Sequence, residues 1–296
     1  MSTWIKKHPL VAYFVLAYVI SWACELPLVA VKQGWVQLPI PFALHYLAAF
    51  GPMLAGLCLT AVSQGREGLR RLLGGLVAWR FGFQWILFAA LSPVALFAVA
   101  AVAMHAGGSS WPNLSVLGQV DYLPNLGVAG AMLLWLLTFG LGEEIGWRGF
   151  ALPRLQQGHS ALAASLILSL PWAFWHLPAF FYKDTYMSMG LAAGVPMLLL
   201  SLMAAAIIFT WLYNSTRGSL VPVIVFHALF DLLSASPAGG AYAASIMSAV
   251  PMIWAVLVVF LYKPANLSRS KKHRLEDSIE QLPRSAPFPT QPLSSV

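Results

Sequence analysis

The sequence predicts an all-α polytopic membrane protein, with about eight transmembrane helices around a buried polar pocket. Three observations carry this prediction. Of 296 residues, 59% are hydrophobic and only 9% charged, whereas a soluble domain carries roughly 25% charged residues. The apolar residues fall in runs of about 20, the length of a helix that crosses the bilayer core; the ~10-residue alternating segments of a β-barrel are absent. Inside those runs stand a few acidic residues and histidines. A charged group at the bilayer centre costs roughly 2.5–3.5 kcal/mol by insertion scales, so it persists only where it is paired, hydrated or used.

Taken in order, the spans fall at 9–31, 40–62, 83–105, 128–150, 160–180, 191–213, 220–234 and 242–262. The first follows Lys6 and Lys7, as a signal peptide would. The run is too long for one, and the later spans need it as their anchor. The seventh is short and needs a cavity or its neighbours to shield its ends. An even number of spans puts both termini on one side. With that side in the cytoplasm, all but Lys32 and Lys183 of the 17 Lys and Arg residues are cytoplasmic. The positive-inside rule therefore supports the count and the orientation. The expected location is a cell membrane, read as a bacterial inner membrane.

Between the second and third spans, 66–80 reads as an interfacial helix. Leu69, Leu72, Leu73, Leu76 and Val77 lie at helical spacing, with Arg66, Arg70 and Arg71 on the other flank. An outer, turn-rich loop follows at 107–125. After Tyr262 the composition turns to Pro, Ser and charge, including Lys271, Lys272, His273 and Arg274. The expected organisation is a membrane domain at 1–262, with its core at 128–234, and a disordered basic cytoplasmic tail at 263–296 that touches anionic lipid. The net charge of +7 forms no compact basic face and does not point to nucleic acid. Cys24 and Cys58, both in apolar runs, read as small packing residues and give no disulfide framework.

Three sets of polar residues interrupt the core spans. In the fourth, Glu144 and Arg148 are four residues apart and can pair on one helical face. Glu143 points about 100° away on an α-helix, so one carboxylate can be neutralised while the other faces a cavity and serves as a general base or acid. In the fifth, Trp172 and His176 share a face between Pro171 and Pro178. In the seventh, His227 and Asp231 share a face, and an Asp beside a His can fix its tautomer. Each set alone is explained by helices bonding to one another. Two histidines and several carboxylates on three helices exceed what such bonding needs. Glu25, before Pro27, is expected to reach the headgroups, and His45 reads as a core packing residue.

The three sets in this order resemble the CPBP family, the Abi or type II CAAX-protease-like intramembrane endopeptidases. That family carries EExxxR, FxxxH and HxxxN or HxxxD on successive core helices. Glu143-Glu144-xxx-Arg148 matches the first, Trp172-xxx-His176 the second with Trp for Phe, and His227-xxx-Asp231 the third in its Asp form. The resemblance covers roughly 128–231. It implies intramembrane hydrolysis of a peptide bond in a membrane protein or lipidated peptide. Glu143 would activate water and His176 assist. His227 and Asp231 would stabilise the oxyanion or hold a metal, and Glu144, Arg148 and Trp172 would support the site. An ionised Asp231 cannot donate to an oxyanion. Asp231 is therefore protonated, orients His227, or helps bind a metal. A Zn2+ held by some of His176, His227, Glu143 and Asp231 stands beside metal-free water activation. The competing classes are a non-catalytic membrane scaffold or immunity factor and a proton-coupled transporter. The chain has no inverted repeat of the kind transporters show.

Overall fold

A computed structural model describes residues 2–79, 81–120 and 122–277. Among them the regular elements are helical throughout. In chain order they are α1 (Ser2–Lys7), α2 (Pro9–Lys32), α3 (Ala43–Ala48), α4 (Gly51–Gly74), α5 (Gln84–Ala106) and α6 (Gly127–Trp135). Two π-helical segments, Leu136–Glu143 and Ile145–Ala151, follow. Then come α7 (Leu152–Gly158), α8 (Ala161–Trp175), a 3-10 turn (Leu177–Phe181), α9 (Asp184–Ser215), α10 (Val221–Ala235) and α11 (Gly240–Asn266).

Seven helical runs among the described residues are long and apolar enough to cross a membrane: Pro9–Lys32, Ala43–Gly74, Gln84–Ala106, Gly127–Gly158, Ala161–Phe181, Asp184–Ser215 and Gly240–Asn266. The eighth expected span is α10, of 15 residues. At 1.5 Å per residue it falls short of the ~30 Å hydrocarbon core. Its shielding comes from α5 and the first π segment, against which it packs. Elsewhere α2 packs on α4, and α9 lies between α8 and α11. The outer helices are apolar on the outside too. Val11, Val15 and Val19 form an exposed stripe along α2, and Ile253, Leu257 and Phe260 form another along α11. Exposed stripes of this length face lipid in a membrane protein.

Several expectations need adjustment. The interfacial helix is the end of α4, set off by a break at Gly65, whose φ of 62° and ψ of −154° are open to glycine alone at low cost. Cys58 is exposed on α4 and does not pack in the core; both cysteines are free. Glu25 is buried, 3% exposed, and does not reach the headgroups. The segment after Tyr262 is ordered as far as residue 277. There α11 runs on to Asn266, and His273 N–H donates to Asn214 Oδ1 at 3.1 Å while Gln156 Nε2 donates to the His273 carbonyl at 2.7 Å. A buried Gln156–Asn214 amide pair offers donors and acceptors to the backbone of that segment, a docking that composition does not register. The rest of the expected tail, 278–296, lies outside the described residues.

Glu143 and Arg148 lie in the two π-helical segments, with i→i+5 backbone bonding, and only Glu144 stands between these, so the regular 100° step of an α-helix does not hold here. Such segments are rare and concentrate at functional sites. Close approach dominates here: a Cβ on Gly142 would lie 2.7 Å from the Ala49 carbonyl at the end of α3. We expect Gly142→Ala to destabilise the protein by about 1–3 kcal/mol, since a backbone atom cannot swing aside. A thermal melt in detergent checks this.

Candidate active site

Trp172 is the centre of the polar pocket. It lies on α8, one turn before its end, and is buried. Its indole N–H donates to Glu143 Oε2 at 2.9 Å. Trp147, four residues after Glu143, donates to the same oxygen at 3.1 Å. The Arg148 guanidinium lies over the Trp172 ring at 4.2 Å and over Phe209 of α9 at 4.5 Å. Such cation–π contacts gain strength away from water. The Trp172 ring also meets His227 edge-on at 5.9 Å and His176 at 6.3 Å. One aromatic side chain thus touches or borders all three polar sets.

The charged groups form a chain. Arg148 Nη1 pairs with Glu144 Oε1 at 2.8 Å, both side chains fully buried. The same oxygen faces His227 Nδ1 at 2.7 Å. His227 Nε2 faces Asp231 Oδ2 at 3.3 Å, and Asp231 is the partly exposed end. An imidazole with both nitrogens on carboxylate oxygens satisfies them as the doubly protonated cation. His176 differs. Its Nδ1 lies 2.8 Å from the Trp172 carbonyl. A carbonyl only accepts, so Nδ1 carries the proton and Nε2 keeps its lone pair. The ring of Tyr186, on α9, lies nearly parallel to His176, with centroids 6.5 Å apart.

Around this chain, buried polar atoms lack a protein partner among the described residues: Glu144 Oε2, Arg148 Nε and Nη2, and the Tyr13 hydroxyl. Groups of this kind in a native interior are usually met by water.

The structure gathers Glu143, Glu144, Arg148, Trp172, His227 and Asp231 into contact and places His176 at their edge. Sequence reasoning missed Trp147, Phe209, Tyr13 and Tyr186. Trp147 had a signal, its i+4 spacing from Glu143. The other three carry no motif and reach the pocket only through helix packing.

The donors as placed do not fit a metal. Both His227 nitrogens face carboxylates, and Glu143 Oε2 is occupied by two indoles. Among the described residues no three His, Cys, Asp or Glu side chains form a group that could hold a metal ion.

Residues 125–233 match the family model described as Rce1-like, type II CAAX prenyl endopeptidase Rce1-like. The match supports the resemblance to the CPBP family carried by the three sequence motifs. Over 118 residues it is also 34% identical to the CAAX prenyl protease 2 of Methanococcus maripaludis. That match takes in 38% of this chain and 41% of the relative, so the chain spans about two-fifths of the length of the curated relative it matches. All seven motif residues singled out from the sequence, Glu143 to Asp231, fall inside the matched segment. The docked segment after α11 and all of α2 to α5 lie outside it.

Proposed function

We propose that the protein is an intramembrane endopeptidase that hydrolyses a peptide bond of a membrane-associated or lipidated protein, with water activated by Glu143 and His176. One observation carries the reading. Glu143, 2% exposed, is held by two indole N–H groups beside a histidine whose free nitrogen is an acceptor. That is a positioned carboxylate with no cation of its own. The paired charges nearby are Glu144 and Asp231 against Arg148 and His227, two of each sign. Glu143 is the remaining carboxylate, and a proton taken up by it leaves the group balanced.

The step follows from these roles. The water oxygen bonds to the scissile carbonyl carbon while its proton passes to Glu143. The negative oxygen that forms is stabilised by the positive charge of His227, whose two N–H groups stay on Glu144 and Asp231. Asp231 thus acts through His227 and need not donate a hydrogen bond itself. Glu143 returns its proton to the leaving nitrogen, the C–N bond breaks, and the products are a carboxylic acid and an amine, which then exchange a proton to become carboxylate and ammonium. His176 Nε2 accepts from the water and holds it in line. Trp172 fixes the position of Glu143 and forms the wall against Arg148.

The relative's printed name points to prenylated CAAX proteins as the substrate class to try first. Both termini are placed on the cytoplasmic side by the distribution of basic residues. Labelling of single cysteines at residues 3 and 34 with an impermeant reagent tests that placement.

The experiment for the activity is cleavage of a peptide library, with and without a farnesyl group, by the purified chain in detergent. Cleavage is expected to continue at an unchanged rate after dialysis against EDTA and phenanthroline. Loss of activity on chelation, restored by Zn2+, would overturn the metal-free assignment. No cleavage of any substrate by a folded chain would overturn the enzymatic one.

A further inference from the structure

A second buried polar cluster lies outside the charged chain. Glu25 of α2, His45 of α3 and Tyr182, just before α9, come from three separate elements, and each is less than one-tenth exposed. The Tyr182 hydroxyl donates to Glu25 Oε1 at 2.9 Å. His45 Nδ1 lies 2.7 Å from the same hydroxyl, which can accept from it while donating to Glu25. Both ends of this row are unfinished. Glu25 Oε2 and His45 Nε2 are buried and have no hydrogen-bond partner among the described residues.

A buried polar atom left dry costs about 1–3 kcal/mol. A clamp that merely joined three helices would need neither unfinished end, since the two bonds to Tyr182 already make the join. Water is the ligand of matching chemistry. It donates to Glu25 Oε2 and to the His45 Nε2 lone pair, and it can bridge onward. Apolar rings enclose the cluster: Phe42, Tyr46 and Phe139 all lie within 6 Å of His45, centroid to centroid.

The cluster also borders the catalytic residues. Phe139 is in the π segment that ends at Glu143. The residue after α3, Ala49, meets Gly142, next to Glu143. Tyr182 follows His176 after only the 3-10 turn. We propose that Glu25, His45 and Tyr182 hold bound water inside the membrane and supply it to Glu143. This rests on the endopeptidase reading for the water's use, but not for its presence. Each turnover consumes one water in surroundings that exclude it. A standing store beside the catalytic residues removes the need to draw each molecule through lipid. The three are positioning residues, and none touches the reacting atoms.

Two readouts test this on the full-length chain in nanodiscs. The first is millisecond radiolytic hydroxyl labelling, which modifies side chains beside bound water. Tyr182 is expected to label well above Phe226, which is just as buried but stands among aromatic rings. Labelling of Tyr182 no higher than that of Phe226 would overturn the proposal. The second is kinetic. The pair Glu25→Leu with His45→Phe, dry but similar in size, should abolish the Tyr182 labelling and lower kcat about tenfold or more with KM nearly unchanged. Glu25→Gln keeps a polar end and should retain the labelling and most of kcat, which separates loss of water from loss of packing. A dry double variant with full kcat would also overturn the supply role. Labelling at Tyr182 in a chain that cleaves nothing would count against the endopeptidase reading and leave the water site standing.

Discussion

Glu143→Gln is expected to lower kcat by about 10²–10⁴ while KM and the melting temperature stay close to the parent values. The substitution is nearly isosteric. Its amide oxygen can still accept from Trp172 and Trp147, which hold the present carboxylate at 2.9 and 3.1 Å. No ion pair is lost, because Arg148 and His227 are both bonded to Glu144. What disappears is the proton acceptor. A drop in kcat with an unchanged fold would therefore report chemistry and not stability. His176→Ala should give a smaller drop, of the order of 10², because it removes an acceptor that orients the water and not the base. The scaffold or immunity-factor reading makes the opposite forecast. If the chain works by binding a partner through its pocket, Glu143→Gln leaves the full biological effect intact. Cleavage of a library peptide by parent and variant, with circular dichroism of both, decides between them. Equal kcat values in the two would end the assignment of Glu143 as the base.

Much of the architecture was legible because the bilayer is a harsh filter. Twenty apolar residues in a row have few other uses, and the expected spans 9–31 and 83–105 end within a residue or two of α2 and α5. The pairing of Glu144 with Arg148 was legible from i+4 spacing, and so was the shared face of His227 and Asp231. Less visible was anything set by the approach of helices from elsewhere in the chain. Spacing paired His227 with Asp231, yet its shorter contact is to Glu144, 83 residues earlier. Trp172 was expected to support the site, and it proves to be the residue that Glu143, Arg148, His176 and His227 all surround. Trp147, Trp172, Trp175 and Trp211 are buried, and the first two use their indole N–H groups as interior donors to Glu143. The π-helical backbone left no mark in the sequence beyond its glycines. It arises where other helices press closest, and that pressure is a property of the assembled fold.

The second large effect is on stability. Arg148→Met is expected to destabilise the protein by about 3–5 kcal/mol, the usual cost of stripping one partner from a buried ion pair. Arg148 is fully buried, and its guanidinium is bonded to Glu144 and enclosed by Trp172 and Phe209. Methionine fills much of the space between the two rings, so the loss measures charge more than cavity. Glu144 then faces only His227, in a region without bulk water to solvate it. Removing the second charge should reverse part of the damage. Glu144→Gln combined with Arg148→Met leaves no orphaned carboxylate, and His227 can still bond to the amide oxygen and to Asp231. The double variant should therefore be more stable than Arg148→Met alone, with a coupling of roughly 0.5–3 kcal/mol between the two sites. Thermal or SDS-induced unfolding in mixed micelles gives the four corners of the cycle. A double variant that unfolds as far below Arg148→Met as Glu144→Gln falls below the parent would mean the two residues do not depend on each other. The buried chain from Arg148 to Asp231 would then not be the framework that fixes the pocket. Its contacts to Trp172 of α8, Phe209 of α9 and His227 of α10 make the coupled result the expected one, since losing one charge unsettles a neighbour on each helix.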